Sequence, residues 1–234
     1  MSCQSQAIRA ALNMRGESRE KAAPMPEAQQ PQNGLPNRRL LLQAAAGFGL
    51  LAAWPSQAAT MPTVDEVAFD PDLPALGNPD GDVTVVEFVD YQCPYCKLCY
   101  VELLKVMDED KKIRLVMRDW PIFGDTSRNA ALLALASHGQ GRYAQAVHAL
   151  LTNQERLSDR RTADLLAGAG IDVNSARGDL EARRHQLEAL MDRSNTQATA
   201  FQLRGTPGFL VGKALYRRGM TADDFRKAIA QARA

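Results

Sequence analysis

The sequence predicts an α/β domain, and three observations carry that expectation. Val83–Val89 is an apolar strand-like run, Lys97–Met107 a helix-like run and Ile113–Met117 a second strand-like run. Strand, crossover helix and strand this close together make a βαβ unit, and such a crossover demands a parallel pair. From Asp125 to Leu203 apolar residues recur at three- and four-residue spacings, the signature of helix after helix. Finally, Phe209–Gly212 and Ala214–Arg217 read as two strands, followed by a helix capped by Thr221. The expected architecture is therefore a βαβ half, an all-helical insertion over 122–203, and a ββα half.

Taken in order, residues 1–37 are rich in Gln, Pro, Ala and Asn without a sustained apolar period, which predicts disorder. Arg38-Arg39 then precede an apolar stretch ending at Trp54 and the small-residue site Ser56-Gln57-Ala58. Positive charge, apolar stretch and small-residue ending are the parts of a secretory signal. The apolar stretch is about 15 residues, short of the roughly 20 that a membrane span needs. Residues 1–58 are expected to be an export leader, resembling the twin-arginine type, and 59–234 one structural domain in the periplasm or another exported location. An uncleaved membrane anchor is the alternative, and it too implies export.

Within the domain, Val64–Pro79 is expected as a short edge segment and a loop. Val83–Val89 is apolar on both alternating faces apart from Thr84 and Glu87, the pattern of a central buried strand. In the insertion, Ser127 is expected to cap a helix ending near Gly139, with further helices at Tyr143–Leu151, Ala163–Ala169 and Leu180–Met191. The 234 residues, 45% hydrophobic and 24% charged, are enough for a real core, and a net charge of +1 gives no footprint for nucleic acid.

The chemistry is expected at Cys93-Pro94-Tyr95-Cys96, between the first strand and its helix. Free N–H groups of a first helical turn carry partial positive charge, which favours a thiolate at Cys93. Cys96 lies one turn further on the same face, so the two sulfurs can close a bridge. Pro94 suits a first turn, where its missing N–H costs nothing. A bridge across four residues removes little chain entropy, which argues for a redox use over a structural one.

Asp90-Tyr91-Gln92-Cys93-Pro94-Tyr95-Cys96 and the later Gly205-Thr206-Pro207, with Arg118-Asp119-Trp120-Pro121 in support, resemble the DsbA-like thiol–disulfide oxidoreductases of the thioredoxin superfamily. The resemblance covers roughly 64–234 and implies a thioredoxin-like fold. It also implies an exposed nucleophile at Cys93, a resolving thiol at Cys96 and a cis-proline at Pro207. It implies that Thr206, Pro207, Pro94 and Tyr95 meet the substrate peptide. No dissociable cofactor is expected. The implied partners are reduced or misoxidised client proteins, together with a membrane or soluble redox partner that recycles the pair. Disulfide isomerase or reductase activity is the alternative direction.

Glu87 takes the place of the superfamily's buried acid below the two cysteines. Val85 and Val89 share its strand face, so its carboxylate is expected to be desolvated, with a raised pKa and a part in proton exchange with Cys96. A structural carboxylate paired with a lysine is the alternative. Cys99 extends the series to Cys93, Cys96 and Cys99, which opens a non-catalytic metal-binding reading. A fourth ligand would have to come from His138, His148 or His185, none with ligand-like spacing, so no metal site is expected and Cys99 is read as a small buried hydrophobe.

Overall fold

The computed structural model describes residues 61–234, and the expected leader lies outside them. Helix α1, Val64–Ala68, opens the domain where the sequence suggested an edge segment. Thr63 Oγ1 accepts from the Glu66 N–H and the Glu66 carboxylate accepts from the Thr63 N–H, a reciprocal cap that closes a single turn. The expected edge strand is shorter, β1 at Ala75–Gly77. It ends at Gly77 with φ 70°, where a Cβ would fall 2.8 Å from the Ile113 carbonyl oxygen, so only glycine fits.

Strand β2, Val83–Val89, is buried along its whole length. Helix α2, Pro94–Glu109, returns the chain to β3, Ile113–Asp119, which pairs parallel to β2 from Val83↔Ile113 to Val89↔Asp119. The insertion contains α3 (Asp125–Ala136), a 3-10 turn (Ser137–Gln140), α4 (Tyr143–Thr152), α5 (Asp159–Gly168) and α6 (Val173–Ala200). It lies inside the expected 122–203. The start of α3 corrects the sequence reading: Gly124 holds the N-cap, and Ser127 is buried in the first turn with its hydroxyl committed elsewhere. Helix α6 is interrupted at Arg183, whose φ of −118° and ψ of 18° leave the helical region.

Strands β4 (Gly208–Val211) and β5 (Ala214–Tyr216) and helix α7 (Ala222–Arg233) complete the fold. Thr221 caps α7 as expected, in a reciprocal pair with Asp224. The sheet order is β1-β3-β2-β4-β5, with only the β2–β3 pair parallel. Alternation along β2 divides its side chains between two layers. Phe88 meets Trp120 and Phe201 edge-on at one face. Phe209, opposite Glu87 in the ladder, meets Phe225 of α7 at 5.1 Å, and such a T-shaped pair adds about 0.5–1.5 kcal/mol beyond its buried area.

A buried ion pair anchors α1 and the loop after it. The fully buried Arg118 of β3 donates to Asp70 Oδ2 at 2.8 Å and to the carbonyls of Glu66 and Val67. Arg193 of α6 reaches the same Asp70 oxygen at 2.6 Å. Burial pushes the Asp70 pKa up, but the Asp72 N–H and the two guanidinium groups outweigh it and hold the carboxylate below its ordinary value. Among the described residues no helix is long and apolar enough to cross a membrane.

Candidate active site

Cys93 occupies the N-cap of α2 and Pro94 its first position, as the sequence reading required. The Cys93 N–H donates to the Asp90 carbonyl at 3.0 Å, and the Lys97 N–H donates back to the Cys93 carbonyl at 3.2 Å as the helix begins. The Thr206–Pro207 peptide is cis, and its turn lies directly over the first sulfur. The Cys93 thiol donates to the Thr206 carbonyl oxygen at 3.2 Å. That cover corrects one expectation: Cys93 is 2% exposed rather than an open nucleophile. Its neighbours Pro94 and Tyr95 form the exposed surface beside it, with Tyr95 65% exposed.

The two thiols differ sharply in acidity. Cys93 is lowered to about 6, first by the hydrogen bond from the Cys96 thiol. Burial opposes this, while the Thr206 hydroxyl and the backbone N–H groups of Cys96 and Tyr95 reinforce it. The helical tip therefore acts as expected but as the smaller contributor. Thr206 Oγ1 is buried without a partner when its carbonyl takes the thiol proton, which leaves the hydroxyl free to donate once that proton has gone. Cys96, fully buried, is raised well above an ordinary thiol by desolvation, by its bond to Cys93 and by the charges of Glu87 and Cys93.

Glu87 stands beneath this pair. It has no exposed surface, and neither carboxylate oxygen has a hydrogen-bond partner of ordinary geometry. Burial raises its pKa well above the usual carboxylate value, the Cys96 thiol pulls the other way, and negative charge on Cys93 would raise it further. The lysine-paired alternative does not occur: the buried Lys97 donates to the Glu155 carbonyl at 3.1 Å. Glu87 is thus an acid of raised pKa adjoining the less acidic sulfur.

Two polar clusters escaped the sequence reading. The Asp90 carboxylate, 1% exposed, accepts from the Gln92 N–H, the Ser127 hydroxyl and the N–H groups of Ile122 and Phe123, all between 2.7 and 3.0 Å. It ties the loop before Cys93 to the entry of the insertion, and nothing in sequence spacing connects positions 90, 122 and 127. The second cluster joins Asp119, Tyr91 and Tyr143. Tyr143 Oη donates to Asp119 Oδ2 at 3.1 Å, whereas Tyr91 Oη and Asp119 Oδ1 lack partners of ordinary geometry. Burial raises Asp119 to about 7 against the pull of both tyrosines.

Cys99 is buried as expected, but its sulfur has a polar role: it accepts from the Met220 N–H at 3.2 Å. Burial pushes this thiol up to about 11, so it is inert as a nucleophile at neutral pH. His138, His148 and His185 all lie at the surface. Among the described residues no group of three or more His, Cys, Asp and Glu side chains is arranged to hold a metal ion. Trp120 is core, its Nε1–H donating to Asn195 of α6 at 2.9 Å.

Paired thiols of unequal acidity at a helix N-terminus, facing a cis-proline turn on a mixed five-stranded sheet, define a thioredoxin fold carrying a dithiol site. Comparisons with known proteins agree. The family profile described as Thioredoxin matches residues 70–231. The thioredoxin-like oxidoreductase from Silicibacter pomeroyi is 36% identical with a TM-score of 0.70, covering 74% of this chain and 98% of that one. The thiol-disulfide exchange protein alpha-DsbA2 from Wolbachia pipientis is 28% identical with a TM-score of 0.67, covering 71% and 90%. Among curated proteins, the Na(+)/H(+) antiporter NhaA 1 of Salinispora arenicola is 31% identical over 151 residues, which is 62% of this chain but 22% of that relative's length. The chain belongs to the thioredoxin family.

Proposed function

We propose that this chain is an exported oxidase that introduces disulfides into client proteins through Cys93 and Cys96. In the oxidised form, a client thiolate attacks Cys93 Sγ. The Cys93–Cys96 bond breaks, its electron pair leaves on Cys96, and Glu87 protonates that poor leaving group. A second client thiolate then attacks the client sulfur of the mixed disulfide and expels Cys93 as a thiolate. The client loses two electrons, the enzyme gains them, and a membrane or soluble redox partner restores the Cys93–Cys96 bond. Pro94, Tyr95, Thr206 and Pro207 form the client-binding border of the reacting sulfur in this reading, and the backbone of Thr206 pairs with an extended client segment.

The observation that carries this direction is the Cys93 sulfur at the α2 N-terminus beside the Cys96 thiol and the Thr206 hydroxyl, contacts that lower its pKa to about 6. A stabilised thiolate both leaves readily and lowers the free energy of the reduced enzyme, which is what makes a dithiol an oxidant. Equilibrating the pair with glutathione tests it. A potential nearer about −120 mV than about −270 mV supports the oxidase, and one at the reducing end supports a reductase or isomerase. Cys96→Ala, unable to resolve mixed disulfides, is expected to accumulate covalent client adducts, and Cys93→Ser none. The leader over 1–58 belongs to the same proposal, and amino-terminal sequencing of exported material checks it.

A further inference from the structure

Beside the reacting sulfur lies a groove whose arginines no step above uses. Tyr95 and the Thr206–Pro207 turn line it together with Arg204, Arg217 and Arg218, and a leucine and two glycines complete the lining. No carboxylate lines it. Its volume of about 310 Å³ admits a side chain and a short run of backbone.

The three guanidinium groups are not equally engaged. Arg218 is held by both oxygens of Asp224, at 3.0 Å each. Arg217 spends one N–H on the Phe201 carbonyl at 2.8 Å and has no carboxylate partner among the described residues. Arg204 is exposed and has neither a carboxylate nor a carbonyl partner among them. Two charges thus remain uncompensated, one of them only two residues from Thr206, whose carbonyl touches Cys93. A guanidinium presents paired N–H donors that match a carboxylate in two-point geometry, and an ammonium would repel.

We propose that this groove is a carboxylate subsite, which selects client segments carrying Asp or Glu close to the reacting cysteine and disfavours those carrying Lys or Arg. The proposal rests on the oxidoreductase reading for the position of the client cysteine, and on the arginine placement for the rest. Because the groove is open, the attraction is screened by salt and acts mainly on the rate of productive encounter.

The test uses the oxidised full-length chain and reduced peptides in which Cys is flanked, two residues away on both sides, by Glu, Gln or Lys. Second-order rates at low ionic strength are expected in the order Glu, Gln, Lys, with the extremes about tenfold apart and converging in high salt. Arg204→Gln with Arg217→Gln is expected to level the series, and Arg204→Glu to reverse it. Equal rates for the Glu and Lys peptides, or an unchanged order in these variants, overturn the proposal. A second measurement uses the same peptides with Ser in place of Cys, whose binding does not depend on exchange. If no thiol peptide reacts, the oxidoreductase reading fails by itself. The Ser peptides then decide the groove: preferential binding of the Glu form upholds it, and indifference to charge overturns it.

Discussion

The Cys93 thiol sits 3.2 Å from the carbonyl oxygen of Thr206, a residue 113 positions away in the chain. That contact exists only while the sulfur carries its proton, since two acceptors would repel. The unpartnered Thr206 hydroxyl is the group beside it that can donate to the thiolate. Thr206→Val removes that donor and keeps the carbonyl. The Cys93 pKa is expected to rise from about 6 by roughly one to two units, the worth of one hydrogen bond to a charged sulfur. The ultraviolet absorbance of the thiolate against pH measures it, and an unmoved midpoint would remove Thr206 from the account.

Glu87 is the proton source for Cys96 in the proposed cycle. Glu87→Gln keeps the shape and loses the ionisable proton, so release of Cys96 is expected to slow about tenfold or more. The loss should be visible as a changed pH profile between pH 5 and 8 in single-turnover exchange with a fixed thiol peptide. Identical profiles for the two proteins would reduce Glu87 to a space-filling residue.

Asp90 holds four donors in a buried carboxylate. Asp90→Ala strands them, and is expected to cost roughly 2–4 kcal/mol in denaturant unfolding, with Asp90→Asn intermediate because an amide offers one acceptor oxygen. Exchange should weaken in the same order, since the loop that aims Cys93 loses its tie to the insertion. A wild-type midpoint for Asp90→Ala would contradict this.

Asp119 gives a prediction about stability and pH. Its pKa is raised to about 7 in the folded protein from an ordinary 3.8, so the folded state holds the proton more tightly than the unfolded chain. The stability this proton contributes is complete below about pH 4 and is lost as pH rises through about 7. Burial of the group sets an upper bound of about 4 kcal/mol on the loss. Asp119→Asn cannot titrate, and its unfolding free energy should fall less between pH 4 and 7.5 than that of the parent protein. Parallel slopes for the two would count against a proton held at Asp119.

The parts of this protein legible in its sequence are those encoded by neighbours in the chain. An unbroken apolar run makes Val83–Val89 a central strand, and Pro94 after Cys93 marks a helix start, because both signals are local. The reciprocal cap of Thr63 and Glu66 was equally local, yet the helix it closes is a single turn, too short for an apolar period to reveal. Ser127 went astray for the opposite reason: its hydroxyl suits a cap, but a carboxylate 37 positions away claims it at 2.7 Å. Burial of Cys93 beneath Thr206, and the meeting of Asp119 with Tyr91 and Tyr143, depend on three-dimensional closure that no spacing announces.

The Asp90 tie also bears on how such domains can be recombined. The helical insertion is not a detachable module, because its first backbone amides, at Ile122 and Phe123, are held by a side chain belonging to the preceding half. Hybrids that graft a relative's helices onto this scaffold should therefore place their junction beyond Ser127. The alternative is to transplant 90–127 as one unbroken block. A seam at Pro121 would leave Asp90 facing a foreign loop with no matching donors.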